Sequence, residues 1–304
     1  MSEVRSTLPR SSAVDLSIVV VTHGAREMTL ACLKSLAPEA RKISSEVIIV
    51  DNASPDRFAA EIASFYPDFR LLPQVANLGF AAAANLAADT ARGQYLLFLN
   101  PDTIVICDAL VRLLEFARRN RHAGIWGVHT LFADGTINPT CCRRGPTLWR
   151  LFCTGFGLDT RFPRSSLLSG LGYPELPREA ELPVDVICGV CLLVERVLWD
   201  RLGGFSPAFF MYGEDDDLCR RATNLAIMHH GSGTEPDREK KLCQIFAARS
   251  LIVRYHFAAP ARHIGLALLL LRPFLGKSFA KRESRPFWRT VWGRRYRWMA
   301  GRFE

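Results

Sequence analysis

The chain has 304 residues, 49% hydrophobic and 23% charged, enough to bury a sizeable core in two domains or in one large domain with an appendage. Its formal net charge is +9, but residues 272–304 carry ten Lys/Arg against two acids; nearly all the excess sits in that stretch, which argues against a nucleic-acid groove across the main body. Nine cysteines, an odd number without framework spacing, argue against a disulfide scaffold and for a reducing cytoplasm, and residues 1–15 read as a loose tail without a secretory h-region.

In chain order, "LSIVVVT" (Leu16 to Thr22) is the first apolar, β-branched run of strand length. "EVIIVDN" (Glu46 to Asn52), "FRLLPQ" (Phe69 to Gln74) and "QYLLFLNPD" (Gln94 to Asp102) follow. Such continuous runs suit parallel strands buried on both faces. Between them "MTLACLKSL", "FAAEIASFY" and "AAAANLAADTA" have helical patterning, and "DALVRLLEFARRN" predicts one more helix after Asp102. Alternation of this kind means βαβ units and a doubly wound, mostly parallel α/β sheet. Beyond it the pattern is less regular: "VDVICGVCLLVERVLWDRLGGF" predicts a strand and a helix ending at Gly203-Gly204, and "LAIMH" a short strand.

Ligands bind such sheets at the carboxyl ends of the strands. Polar residues follow the apolar runs there repeatedly: Thr22-His23, Asp51-Asn52, Asn77 and Asn100-Pro-Asp102. Singly, each is a turn or capping residue; together they converge on one crevice. Asp102, held by a proline after a buried strand, is a rigid carboxylate suited to Mg²⁺ or Mn²⁺ bound also by ligand phosphates, or else the cap of the next helix. In "NLGFAAAANLA", Gly79 and the alanines allow close approach of backbone or ligand, with Asn85 on the Ala81 and Ala82 side; tight helix–sheet packing explains the same residues. Glu214 to Asp217 stand at a helix start, where the dipole favours acids by about 0.3–1 kcal/mol each. Four in succession exceed that need, and the aromatic "FSPAFFMY" before them suits a carboxylate acting as general base. His229 and His230 end the "LAIMH" run on opposite faces, so one of them at most reaches the Asp102 side.

Taken together, "IVVVTHG", "VIIVDNAS", "NLGFAAAAN", "LFLNPDT", "LGGFSPAFFMYGEDDDLCRR" and "IMHHGSG" resemble, in this order, family 2 glycosyltransferases of GT-A fold, most closely the rhamnosyltransferase-like subgroup. The resemblance spans about Leu16 to Gly233. It implies a Rossmann-like nucleotide-binding half (Asp51 on the pyrimidine base, Thr22, Asn52, Ser54, Asn77, Gly79 and Asn85 around the donor) and an acceptor half. Asn100-Pro-Asp102 takes the place of the family's metal motif, with Asp102 and His229 as ligands. Glu214-Asp215 matches the acidic pair, Asp215 as base and Glu214 orienting it or the acceptor. The implied reaction is an inverting, metal-dependent transfer from a dTDP- or UDP-sugar to a saccharide or polyprenyl-diphosphate-linked acceptor in cell-surface polysaccharide assembly. One departure stands out: "ATNLA" alone joins Arg221 to Ile227, about ten residues fewer than the family has. It motivates a rival expectation, an impaired homologue acting as a membrane-bound scaffold.

The domain boundaries expected are 1–15, 16–235 for the GT-A domain, and 236–304 for a helical, basic-aromatic region. "HIGLALLLLRPFLG" is too short to span a bilayer. The Arg/Lys interleaved with Phe, Trp and Tyr after it suit an anionic membrane surface at the inner face of the plasma membrane, a solvated basic helix, or a helix docked on the main domain.

Overall fold

The structure is a computed structural model that describes residues 14–56, 58–131, 138, 141–173, 181–222, 226–229 and 238–302, with the backbone alone at 226–229 and 238–241. The first half alternates as expected: β1 (Leu16–Thr22), α1 (Arg26–Ala40), β2 (Ser45–Asp51), α2 (Ala59–Phe65), β3 (Arg70–Pro73), α3 (Phe80–Thr90), β4 (Tyr95–Leu99), α4 (Ala109–Arg119) and β5 (Ala123–Gly127). Next come β6 (Cys142–Arg143), α5 (Leu148–Gly155), α6 (Leu158–Arg161), β7 (Leu182–Pro183), β8 (Val186–Ile187), β9 (Cys191–Glu195) and α7 (Arg196–Leu202). The chain continues with α8 (Glu214–Arg221), β10 (Ala226–His229), α9 (Arg238–His256), α10 (Ala259–Phe279), α11 (Arg285–Gly293) and α12 (Arg295–Met299).

Among the described residues eight strands form one sheet in the order β3-β2-β1-β4-β9-β5-β10-β7. β1 pairs in parallel with β2 and β4, β2 with β3, and β5 with β10. β9 runs antiparallel between β4 and β5, and β7 antiparallel beside β10. This is the doubly wound, mostly parallel α/β sheet that the apolar runs predict. Both faces are buried, as continuous apolar strands require. Ile18, Val20, Ile49 and Leu97 pack on α1 and α4, while Val19, Ile48, Phe98 and the buried alanines of α3 pack on the other side.

Two differences from the sequence pattern bear on the site. The strand predicted through "VDVICGVCLLVE" is two strands broken at Gly189: β8 pairs with β6 in a small second sheet, and β9 enters the main one. The break frees the Gly189 and Val190 backbone to bond outward. The Gly189 N–H donates to Asp215 (3.0 Å) and the Val190 carbonyl accepts from the Asn100 N–H (2.9 Å). The predicted strand "LAIMH" is β10, in place despite the short connection after α8.

α9 lies directly under α8: a Cβ on Gly213 would stand 2.8 Å from the Ala248 Cβ. α5, α10, α11 and α12 gather around Leu151, Phe246, Val253, Leu269, Val291 and Trp298 as a second, smaller core.

Candidate active site

Thr22, Asp51, Asn52 and Ser54 end β1 and β2 or follow them, and all four are buried. Thr22 Oγ1 is 2.7 Å from Thr29 Oγ1, and Asp51 Oδ1 accepts the Ser54 N–H at 3.0 Å. That bend carries Ala53 at φ +61°, a left-handed conformation that costs a non-glycine residue about 1–2 kcal/mol. Ser54 Oγ accepts the Gly24 N–H (3.0 Å), tying the two strand ends together. Asn52 then ties in the next loop: its amide donates to Asn77 Oδ1 (2.9 Å) and to the Gly79 carbonyl (3.3 Å), and its Oδ1 accepts the Leu78 N–H (2.9 Å).

Gly79 has φ +80°, and a Cβ there would stand 2.5 Å from the Phe210 carbonyl oxygen, which accepts the Phe80 N–H (2.7 Å). The glycine is required by this contact, which seats the "FFMY" loop on the loop that follows β3. Asn85 is spent otherwise. Its amide donates to the Phe205 carbonyl (2.9 Å) and its Oδ1 accepts the Phe205 N–H (3.0 Å), clamping α3 to the turn after α7.

The aromatic loop leads through Tyr212 (φ +64°) and Gly213 (φ +82°) into α8. Two successive left-handed residues aim the helix start inward, and strain of this kind gathers where function requires it. The four acids then separate by face. Asp215 is 4% exposed; its Oδ2 receives Arg143 and the Gly189 N–H, both at 3.0 Å, and its Oδ1 the Asp216 N–H (2.8 Å). Glu214 is 6% exposed, and its Oε2 is buried without a hydrogen-bond partner among the described residues. Burial, then the Asp215 charge, push its carboxyl up to about 8. Asp217 turns to the far side, to Arg221 (2.7 Å) and His256 of α9 (2.9 Å). Burial pushes its carboxyl up, but His256 and Arg221 outweigh that and hold it below the usual range.

Asn100, Pro101 and Asp102 form the turn after β4, closed by the Thr103 hydroxyl on the Asn100 carbonyl (2.7 Å). Because the Asn100 N–H bonds Val190 and the Gly189 N–H bonds Asp215, one loop couples this turn to the acidic pair. β10 points the same way as β4, so the His229 backbone ends at the sheet edge that carries Asp51 and the Asn100 turn. The His229 side chain and His230 lie outside the described residues, as does the glycine-rich run after them. Among the described residues no group of three or more His, Cys, Asp or Glu could hold a metal ion.

Arg143 is absent from the sequence-predicted site. It comes from β6, reaches Asp215 across 72 residues of sequence, and also lies 3.3 Å from Asp216. Its only local signal is a tandem Arg143-Arg144 in a nearly neutral region. Cys188 and Cys191 flank the Gly189 loop in the C-x-x-C spacing that redox and zinc sites use. Both are free thiols pushed up to about 12 by burial, so neither is a thiolate at neutral pH.

A doubly wound, mostly parallel α/β sheet with polar residues gathered at its strand ends and an acidic pair coupled to the turn after β4 is a GT-A arrangement. Residues 17–161 match Glycosyl transferase family 2, and the chain belongs to that family. It is 34% identical over 248 residues to the N-acetylglucosaminyl-diphospho-decaprenol L-rhamnosyltransferase of Mycobacterium tuberculosis, covering 73% of this chain and 78% of that one. Rhamnosyltransferase WbbL of Escherichia coli is 25% identical over 225 residues, 70% of this chain and 78% of its own. The mannosyltransferase PcManGT of Pyrobaculum calidifontis, solved with GDP-Man and Mn²⁺, shares the fold at TM-score 0.56 and 16% identity, over 93% of this chain and 77% of that one. S. aureus TarS 1–349 with UDP-GlcNAc does so at TM-score 0.52 and 16% identity, over 94% and 82%.

Proposed function

We propose that this glycosyltransferase is inverting and divalent-metal-dependent. It moves a sugar, L-rhamnose from dTDP-rhamnose in the first place, to a saccharide on a polyprenyl diphosphate in cell-surface polysaccharide assembly. The observation that carries the reading is the coupling of Asp215 to the Asn100-Pro-Asp102 turn through Gly189 and Val190. A base for the acceptor and a carboxylate for the leaving group's cation then share one rigid scaffold. The 34% identity to a rhamnosyltransferase supports the choice of sugar.

Asp51, Asn52, Ser54, Asn77, Gly79 and Thr22 shape the nucleotide cradle, and the amide clamp of Asn85 holds its outer wall. Asp215 takes the proton from the acceptor hydroxyl. The new C–O bond forms on the face of the anomeric carbon opposite the diphosphate, which departs with the electron pair, so configuration inverts. Arg143 and the Gly189 N–H fix the carboxylate's orientation; Glu214, protonated below about pH 8, donates a hydrogen bond toward the acceptor. Asp102, with His229, would hold a cation that stabilises charge on the leaving diphosphate.

No described helix is long and apolar enough to cross a membrane. Exposed Phe274 and Phe279 on α10, with Lys277 stacked 4.9 Å from the Phe274 ring, support the reading that this basic-aromatic region rests on an anionic membrane surface at the cytoplasmic face. The test is a screen of dTDP-, UDP- and GDP-sugars for acceptor-dependent release of nucleoside diphosphate. Release from dTDP-rhamnose is expected, and absence of release from every donor would sink the reading.

A further inference from the structure

The second and third acids of α8 stand among arginines of which the chemistry above uses Arg143 alone. Arg143 of β6 lies 3.0 Å from Asp215 and 3.3 Å from Asp216. Arg220, one helical turn after Asp216, and Arg249 of α9 both act on the same Asp216 carboxylate. Arg143 contacts this acid, Arg220 stands four residues further along the same helix, and Arg249 follows Ala248, which packs against the start of α8.

Their hydrogen-bonding capacity is not used up within the protein. The Nε–H groups of Arg143 and Arg220 are buried and have no acceptor among the described residues. A buried donor left unpaired costs about 1–3 kcal/mol, and an acceptor from a bound ligand is one way to offset that cost. Arg220 is held over the Phe257 ring, 5.9 Å from its centroid, and reaches the Pro146 carbonyl only at 3.5 Å. Arg249 is half-buried, and desolvation followed by the like charge of Arg143 pushes its guanidinium down to about 10. The nearby carboxylates are largely engaged: Asp217 by Arg221 and His256, Asp185 by Arg150, and Asp159 by Arg272.

We infer that Arg143, Arg220 and Arg249 form a binding site for the diphosphate of a polyprenyl-diphosphate-linked acceptor. The guanidinium fork matches phosphate oxygens in pairs, and three forks from different directions suit a diphosphate better than a single carboxylate. The position favours the acceptor over the donor. The collar is built on β6, α8 and α9, whereas the donor cradle is built on β1, β2 and the Asn77–Gly79 loop. Arg143 touches the proposed base and the collar together, which places an anion there near the acceptor hydroxyl. This inference rests on the functional reading above and assigns residues to the acceptor's diphosphate.

The experiment uses the full chain and two probes, N-acetylglucosamine on a short-chain prenyl diphosphate and neutral octyl N-acetylglucosaminide. Calorimetric binding of the first probe, in R220Q and R249Q, is measured apart from turnover, so it judges the collar even where no donor is used. We expect it to weaken about 10-fold or more in each variant. In turnover, KM for the diphosphate probe rises to match, and its kcat/KM advantage over the neutral glycoside shrinks by the same factor. Affinity for dTDP and UDP stays within about 2-fold, which also reports that the variants are folded; R249K, which keeps the charge, recovers part of the loss. Unchanged binding of the diphosphate probe in both variants overturns the inference. So does a parallel loss of dTDP or UDP affinity in folded protein, since that would assign the collar to the donor.

Discussion

Glu214→Gln tests whether the site is electrostatically strained in the way its burial implies. The wild-type carboxyl is 6% exposed, and burial with the Asp215 charge raises it from 4.5 to about 8. Each pH unit of displacement corresponds to about 1.4 kcal/mol, so the full effect is on the order of 5 kcal/mol. For an acid raised on folding the sign is fixed. Below about pH 4.5 the group is protonated in both states and costs nothing. As pH rises from 4.5 to 8 the unfolded chain ionises, the folded one does not, and the wild type loses stability. Glutamine keeps the shape and removes the titration. Urea denaturation at pH 5, 7 and 9 should therefore show the advantage of the variant growing by several kcal/mol over that range. Stability differences that stay flat from pH 5 to pH 9 would refute the reasoning.

The nucleotide side is equally open to perturbation. Asn52→Ala removes three hydrogen bonds around the Asn77–Gly79 loop and should cost about 1–3 kcal/mol in chemical denaturation, with nucleoside diphosphate affinity falling at the same time. Gly79→Ala meets both a positive φ and the Phe210 carbonyl, so it should lose more than about 2 kcal/mol and weaken the nucleotide site; a neutral result would mean the loop contact is not as tight as 2.5 Å.

Much of this was legible in the residue order. β1, β2 and β4 are continuous apolar runs, and the polar residues at their ends gather because parallel strands bring every carboxyl end to one edge. What stayed hidden depends on contacts that no local pattern records. Arg143 meets Asp215 across 72 positions, and Asn85 meets Phe205 across 120. Asn85 looked like part of a ligand-facing helix surface, yet its amide is taken at both ends by backbone. The four acids of α8 read as one block, and only tertiary partners divide them: Asp215 to Arg143 and Gly189, Asp217 to Arg221 and His256. α9, read from sequence as part of a separate region, packs under α8 because Gly213 leaves room for Ala248. β5 escaped because five residues with a glycine at two positions give no strand signature, although Trp126 anchors it in the core.

The most direct measurement compares wild type and Asp215→Asn for sugar transfer to the diphosphate-linked acceptor, with dTDP binding measured on the same preparations. The expected result is transfer reduced at least about 100-fold with dTDP affinity retained, as loss of a general base requires. Normal transfer by Asp215→Asn in folded, dTDP-binding protein would contradict the assignment of Asp215 as the group that activates the acceptor.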